Sequence, residues 1–208
     1  MPARSREEIA KEIVKRDKAF RDVVRAAGLP PVRRNARVDE RFASLARSIV
    51  YQLLATSAAN TIHARVAATC GGAVSVDSIL DAGFHDLKAS GLSRTKAEAM
   101  IDLAEHVRDR RVDVARHGRM SDAEILRELT AVRGIGPWTG QMYLMNTMAR
   151  PDVWPVGDFG VRNGWTILHG LDEMIDEAAL RDEGARFDGL RTEVAWYCWQ
   201  AVHFARAK

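Results

Sequence analysis

Apolar residues recur at three- and four-residue steps along most of the chain, the spacing that places them on one face of an α-helix. Glycine and proline residues, as at 28–31 and 71–72, separate these segments. The alternation typical of strands is nearly absent, and residues 32–38, the one stretch that suits an extended chain, are too rich in arginine to start a sheet. We therefore predict an all-α fold, with helices over residues 6–27, 39–54, 57–70, 75–81, 84–90, 93–110, 121–132, 137–149, 158–169, 176–182 and 188–205.

The segment from Leu129 to Gly140 predicts two helices joined by a tight turn. Gly134 and Gly136 end the first helix, because glycine readily adopts the positive φ of such an exit, and Pro137 suits the first turn of the next. The amides of Gly134, Gly136 and Thr139 would then point outward at a helix N-terminus, which favours an anion such as a phosphate. A Gly-x-Gly sequence taken alone is as typical of an ordinary connection between helices as of an anion-binding turn.

Downstream of this turn, Asp158 stands at the start of a predicted helix, after a run containing glycine and proline at 151–157. A helix N-terminus favours negative charge, and a carboxylate can stabilise the positive charge that develops on a sugar when its glycosidic bond breaks. Most aspartates at such a position only cap the helix, and the two roles can coexist. The anion site and the carboxylate together predict an enzyme that grips nucleic-acid phosphate and acts on a bond beside it.

The hairpin followed by the aspartate resembles the signature of the helix-hairpin-helix DNA glycosylases, with Asp158 at the position of the catalytic aspartate. Within that superfamily the chain is most similar to the short form of bacterial 3-methyladenine DNA glycosylase II. Residues 42–52, 91–97 and 190–199 resemble that family's early helix, central segment and last helix, so the resemblance covers about residues 40–200.

The resemblance implies a single two-lobed helical domain over residues 1–208. Lobe one would hold about residues 1–40 and 150–208, and lobe two about residues 41–149, with the hairpin at 121–149. The implied activity is base excision repair: hydrolysis of the N-glycosidic bond of 3-methyladenine or 7-methylguanine in duplex DNA, which leaves an abasic site.

The same resemblance implies roles for individual residues at the damaged base. Asp158 would stabilise the sugar cation, and the faces of Trp138 and Trp199 would stack on an electron-poor alkylated base. Both tryptophans also suit core positions. Met142 and Tyr143 stand one turn after Trp138 and would complete the wall, and Gln52 is also assigned to the base pocket.

It further implies how DNA is held. The partner would be double-stranded DNA containing damaged bases, bound by a monomer, with Leu54 filling the gap that a flipped nucleotide leaves. The residues implied for DNA contact are Arg133, Gly134, Ile135, Gly136, Thr139 and Leu54. The residues whose backbone carbonyls would hold a monovalent cation are Thr130, Val132 and Ile135.

The chain departs from the family's pattern at two places. The family usually has two glutamines and then Leu-Ser where this chain has Gln52-Leu53-Leu54-Ala55, in the segment that leads into the loop probing the DNA. The proline usual just before Arg191 is also absent, and Gly189 stands nearby.

A lysine nucleophile would cleave the DNA strand through a Schiff base. In the endonuclease III branch that lysine stands two residues after the second hairpin glycine, where this chain has Trp138, so we expect a monofunctional glycosylase. Cys70 and Cys198 are too few for an iron–sulfur cluster, which needs four thiolates. We expect no cofactor beyond the hairpin cation.

Composition agrees with this interpretation without deciding it. The 208 residues are 47% hydrophobic, enough for a core, while 31 basic against 28 acidic residues and a net charge of +3 are weak evidence for a nucleic-acid partner. The charged N-terminus has no apolar signal core, and no apolar run is long enough to cross a membrane. We therefore expect a cytoplasmic bacterial protein that works at the nucleoid, without a membrane partner.

Two other classes of protein remain open from the sequence. One is a non-catalytic helix-hairpin-helix DNA-binding protein, which would not need the carboxylate or the aromatic positions. The other is a glycosylase of the same fold that acts on uracil, mismatched thymine or oxidised bases.

Overall fold

The computed structural model describes residues 4–207, and these form helices and connecting turns with no strand among them. The predicted all-α fold is confirmed. The helices are α1 (Arg6–Arg16), α2 (Arg21–Ala27), α3 (Val38–Tyr51), α4 (Thr56–Thr69), α5 (Val76–Ala89), α6 (Arg94–Arg108), α7 (Asp122–Thr130), α8 (Pro137–Asn146), α9 (Phe159–His169), α10 (Glu177–Gly184) and α11 (Arg191–Arg206), with 3₁₀ turns at Lys18–Phe20, His117–Arg119 and Ala185–Phe187.

Helix boundaries differ from the prediction where a single residue leaves helical geometry. The helix predicted over 6–27 is two helices, because Asp17 is extended (φ −149°, ψ 115°) and its carboxylate caps the amide of Ala19 at 2.9 Å. The helix predicted to reach residue 54 ends at Tyr51, since Gln52 has ψ 129°. The two short helices predicted around residues 75–90 are both present within the range of α5, on either side of Gly83, whose φ of 66° and ψ of −179° are not helical.

The chain divides into two compact units. The first contains residues up to Arg33 and from Arg150 onward, and the second contains residues 34–149. Residues 34–37 belong to the second unit, although the sequence suggested a boundary near 40, because they bond within it. The amide of Ala36 donates to the carbonyl of Thr147 at 2.7 Å, and Arg41 donates to the side chain of Asn35 at 3.2 Å.

In the first unit, α9 packs against α11 at very short range. A Cβ added at Gly164 would lie 2.0 Å from the carbonyl oxygen of Cys198, so only glycine allows this approach of the two backbones. Beneath them the ring of Phe20 packs edge-on against Trp165 and Phe187, with centroids 5.8 and 5.6 Å apart. This packing places the start of α9 beside the middle of α11.

In the second unit, α3, α6, α7 and α8 share a core whose fully buried members include Leu45, Ile49, Met100, Leu103, Ile125 and Leu129. The buried ring of His117 lies beside this core, where it contacts the hydroxyl of Tyr143 at 2.8 Å and the carboxylate of Glu128 at 3.3 Å. Over residues 4–207, no helix is both long enough and apolar enough to cross a bilayer.

Candidate active site

The residues that the sequence singles out divide between the two units. Asp158 and Trp199 lie in the first unit. The second unit contains the hairpin together with Gln52, Leu54, Trp138, Met142 and Tyr143.

Asp158 is the N-cap of α9, and two N–H groups donate to one of its oxygens. Its Oδ1 accepts the backbone amide of Val161 and the indole Nε1–H of Trp199, each at 2.8 Å. The residue is only 8% exposed. Hydrogen bonds to a carboxylate are stronger than neutral ones, and the helix N-terminus adds a favourable field. The carboxylate is therefore held in one orientation in surroundings that stabilise its charge.

Glycine in α9 makes room for this arrangement. A Cβ added at Gly160 would lie 2.8 Å from Cδ1 of Trp199 and 3.1 Å from Oδ1 of Asp158. Together with Gly164 one turn later, Gly160 lets the α11 indole lie directly against the start of α9. Trp199, predicted to stack on the base, thus has its N–H edge engaged with the carboxylate, and its side chain is half-buried.

In the second unit, α7 and α8 are joined by the predicted tight turn. Gly134 has a φ of 76°, and a Cβ there would lie 2.8 Å from the Cβ of Ala99, so both conformation and space require glycine. Ile135 is buried (3% exposed) and anchors the turn. Gly136 is the N-cap of α8 and Pro137 its first residue, as predicted.

The turn presents unpaired backbone donors. Within residues 4–207, the amides of Gly134, Gly136 and Thr139 donate no hydrogen bond, and both glycines are exposed. Gly136, the N-cap of α8, has no side chain with which to cap the helix. These amides form an arrangement suited to an anion.

Arg133, predicted to contact DNA, is tied to α6 through both its backbone and its side chain. Its amide donates to Oδ2 of Asp102 at 2.6 Å. Its guanidinium pairs with Glu98 at 2.9 Å, although the side chain remains 63% exposed. Sequence reasoning missed both acidic partners, because nothing in the pattern of α6 indicates which element lies against it.

Gln52, predicted for the base pocket, has its side-chain amide engaged with the hairpin. Its Nε2 donates to the carbonyl of Gly134 at 2.9 Å and to the hydroxyl of Thr139 at 3.0 Å. The side chain of Thr139 is itself buried. Gln52 therefore links the end of α3 to the turn between α7 and α8.

The segment after Gln52 exposes Leu53 more than Leu54. Leu53 is fully exposed with a φ of 55°, whereas Leu54 is 39% exposed. The ammonium of Lys96 donates to the carbonyls of Val50 and Gln52, each at 2.7 Å, and burial lowers the pKa of this ammonium. Lys96, which sequence reasoning did not single out, thus braces the base of the segment.

The three predicted pocket residues on α8 differ in exposure, although they lie within about one and a half turns of the helix. Trp138 is 45% exposed, and Met142 lies one turn later in a cavity of about 270 Å³ that Tyr51 also lines. Tyr143 is 1% exposed, and its hydroxyl contacts Nδ1 of His117. Burial raises the pKa of that hydroxyl. Each residue turns about 100° around a helix, so the half-buried Met142 and the buried Tyr143 face different directions from α8, and a pocket role for Tyr143 stays a prediction.

The hairpin carbonyls fit the cation that the family resemblance implies. Thr130, Val132 and Ile135 line one groove of about 710 Å³. The carbonyl of Thr130 accepts no hydrogen bond within residues 4–207, and that of Val132 accepts the amide of Ile135 at 3.1 Å. Carbonyl oxygens suit hard cations. Among the described residues, no cluster of three or more His, Cys, Asp or Glu side chains suits a metal ion.

Known proteins resemble this chain in both sequence and fold. The model of the HhH-GPD superfamily, described as base excision DNA repair proteins, matches residues 46–186. DNA-3-methyladenine glycosylase 1 of Schizosaccharomyces pombe is 28% identical over 91% of this chain and 84% of its own length.

Two solved structures share the fold over nearly the whole chain. The 3-methyladenine DNA glycosylase of S. pombe in complex with abasic DNA has a TM-score of 0.83 at 27% identity, covering 92% of this chain and 95% of that one. DNA-3-methyladenine glycosidase of Bacillus halodurans has a TM-score of 0.83 at 30% identity, covering 95% and 91%. Since the family model spans most of the sequence, from within α3 to the turn before α11, the chain belongs to the HhH-GPD superfamily of base excision DNA repair proteins.

Proposed function

We propose that the protein is a DNA glycosylase that hydrolyses the N-glycosidic bond of alkylated purines in duplex DNA, among them 3-methyladenine and 7-methylguanine, and leaves an abasic site. Family membership supports this, as do relatives named DNA-3-methyladenine glycosylases. The observation that carries it is the carboxylate of Asp158, capped on α9 and oriented by Val161 and Trp199.

Asp158 acts on the sugar in this reaction. The bond between C1′ and the base nitrogen breaks, its electron pair leaves with the base, and water adds hydroxide to C1′ and releases a proton. Positive charge develops on the sugar in the transition state. A carboxylate already oriented by two N–H donors stabilises that charge and orients the water without having to reorganise.

The substrate class follows from the leaving group and from the aromatic surface. Alkylation at N3 or N7 places positive charge on the purine and weakens the glycosidic bond. The exposed face of Trp138 stacks on such a cationic ring, and the polarisable Met142 lies one turn away. Once the nucleotide is flipped out of the duplex, the weakened glycosidic bond and the charged ring distinguish an alkylated base from an undamaged one.

Double-stranded DNA is held by the hairpin in this proposal. The amides of Gly134, Gly136 and Thr139 bind a phosphate and position the duplex without reading its sequence. Leu53, which is more exposed than Leu54, fills the gap left by the flipped nucleotide. A monovalent cation on the carbonyls of the groove would supply positive charge beside that phosphate.

The enzyme is monofunctional and works as a monomer in this proposal. Trp138 stands where a lyase has its Schiff-base lysine, so the strand is left intact. The protein acts in the bacterial cytoplasm at the nucleoid, where its substrate is found.

The test is the variant Asp158→Asn, assayed by single-turnover release of 3-methyladenine from methylated duplex. Asparagine retains an oxygen for the Val161 and Trp199 donors but loses the charge. We expect excision to fall by about two to four orders of magnitude while duplex affinity persists.

The matched control is Asp176→Asn, since Asp176 caps α10 in the same unit in the same way, with its side chain accepting the amide of Ala179. This variant should retain the wild-type rate. A loss of less than about threefold in Asp158→Asn, or an equal loss in the control, would contradict the assignment.

A further inference from the structure

One face of α6 supports the hairpin at three points within the second unit. The side chain of Ala99 lies beneath Gly134, so close that no Cβ fits there. Glu98 pairs with the guanidinium of Arg133, and Asp102 accepts the amide of Arg133 at 2.6 Å. Residues 98, 99 and 102 share this face because of the helical repeat.

Asp102 is itself positioned by a neighbour on the same helix. Nη1 of Arg111 donates to Nε2 of His106 at 2.7 Å, so Nε2 is the acceptor and the ring proton resides on Nδ1. That Nδ1–H donates to the backbone carbonyl of Asp102 at 2.8 Å, with the carboxylate Oδ1 at 3.4 Å. His106 is buried between these two partly exposed side chains.

The negative charge of the Asp102 carboxylate by itself disfavours binding of a phosphate at the hairpin. Asp102 lines the same groove as Gly134 and Gly136, and its side chain is 28% exposed. A negative charge there repels a phosphate bound at the turn. Any benefit of Asp102 to DNA binding must therefore come through the backbone that it holds.

We propose that Asp102 is a positioning residue for phosphate binding. By accepting the amide of Arg133, it fixes the peptide between Val132 and Arg133, one residue before Gly134, and so sets the direction in which the amides of Gly134 and Gly136 point. This inference rests on the proposed role of the hairpin in holding DNA.

The experiment compares Asp102→Ala with Asp102→Asn in the full chain, by affinity for undamaged duplex. Alanine removes the acceptor and the charge, and we expect binding to weaken about tenfold, as for the loss of one charge-assisted hydrogen bond. Asparagine keeps a carbonyl oxygen but not the charge, so its affinity should equal or exceed that of the wild type. Both variants should fold, because the site is partly exposed and alanine favours helix.

Glu105→Ala provides the matched control for charge. Glu105 lies on α6, and within residues 4–207 its carboxylate makes no hydrogen bond or ion pair with the hairpin. Its loss should leave duplex affinity unchanged or tighter. If Asp102 acted only through its charge, Asp102→Ala would likewise leave duplex affinity unchanged or tighter. The positioning role predicts weaker binding instead.

A second measurement does not depend on DNA. Hydrogen exchange of the Arg133 amide, followed by NMR, should be slow in the wild type and in Asp102→Asn, and faster in Asp102→Ala. Equal or tighter binding by Asp102→Ala, or equal weakening in both variants, would overturn the inference. If the wild type bound no duplex, the proposed function would fail. Slow exchange of the Arg133 amide in all three proteins would separately show that Asp102 does not hold this amide.

Discussion

At the scale of single residues, the hydrogen bond between Trp199 and Asp158 changes the role expected of the tryptophan. A stacking surface needs only the ring face, whereas the structure uses the indole N–H to hold a carboxylate oxygen at 2.8 Å. Under the proposed function, Trp199 is a positioning residue, since it acts on the sugar through Asp158.

Replacing Trp199 by phenylalanine tests this role, because phenylalanine keeps an aromatic ring but has no N–H. With the indole donor to Oδ1 lost and the Val161 amide kept, we expect single-turnover excision to fall by about tenfold and duplex affinity to stay the same.

The control is Trp196→Phe on the same helix, where the indole packs on Tyr197 with centroids 4.8 Å apart. Its rate should match that of the wild type. A wild-type rate in Trp199→Phe would show that the indole N–H contributes nothing to the chemistry.

At the scale of elements, the two positions in the hairpin are glycine for different physical reasons. Gly134 has a positive φ and no space for a side chain, so it is required by the fold. Gly136 has a φ of −88°, and a Cβ there meets nothing within 4 Å. Its missing side chain leaves room for a ligand at the N-terminus of α8.

Gly136→Val is therefore expected to fold and to lose affinity for DNA. The valine side chain would cover the amides of the turn, so binding should weaken by about tenfold on damaged and undamaged duplexes alike, as phosphate contacts carry no sequence information. Fluorescence anisotropy on both duplexes would measure it.

Gly134→Val is the comparison, and it should lower the thermal midpoint because of the clash with Ala99. Unchanged affinity of a folded Gly136→Val variant for undamaged duplex would exclude the turn as the anchor.

At the scale of the whole molecule, the two kinds of site residue lie in different units. The carboxylate and its indole partner are in the first unit, and the phosphate-binding turn is in the second. Under the proposed function, substitutions at Asp158 or Trp199 should change the rate of base release, and those at Gly136 or Asp102 should change affinity for any duplex.

The products of the whole enzyme test its reaction class. Methylated duplex should release free 3-methyladenine, and the strand should stay intact until base or heat is added, because Trp138 supplies no amine for a Schiff base. Chromatography of released bases and denaturing gels would measure both. A covalent enzyme–DNA adduct trapped with borohydride would refute monofunctional chemistry, and uracil release without 3-methyladenine release would favour the alternative glycosylase class.

The sequence by itself determined the features that depend on local backbone chemistry. A capping box at Ser121 and Glu124, glycine at a positive φ, and proline in the first turn of α8 specify the hairpin through interactions between near neighbours. The position of Asp158 at a helix N-terminus was predictable for the same reason.

Only the tertiary structure decided which side chains meet. Trp199 lies 41 residues from Asp158, and Gln52 lies 82 residues from Gly134, so no local rule relates them. The side chain of Tyr143 lies in the core against His117, a contact between residues 26 positions apart that helical spacing does not indicate. A repeat of about 3.6 residues indicates which positions share a face, but the packing of distant helices decides what that face contacts.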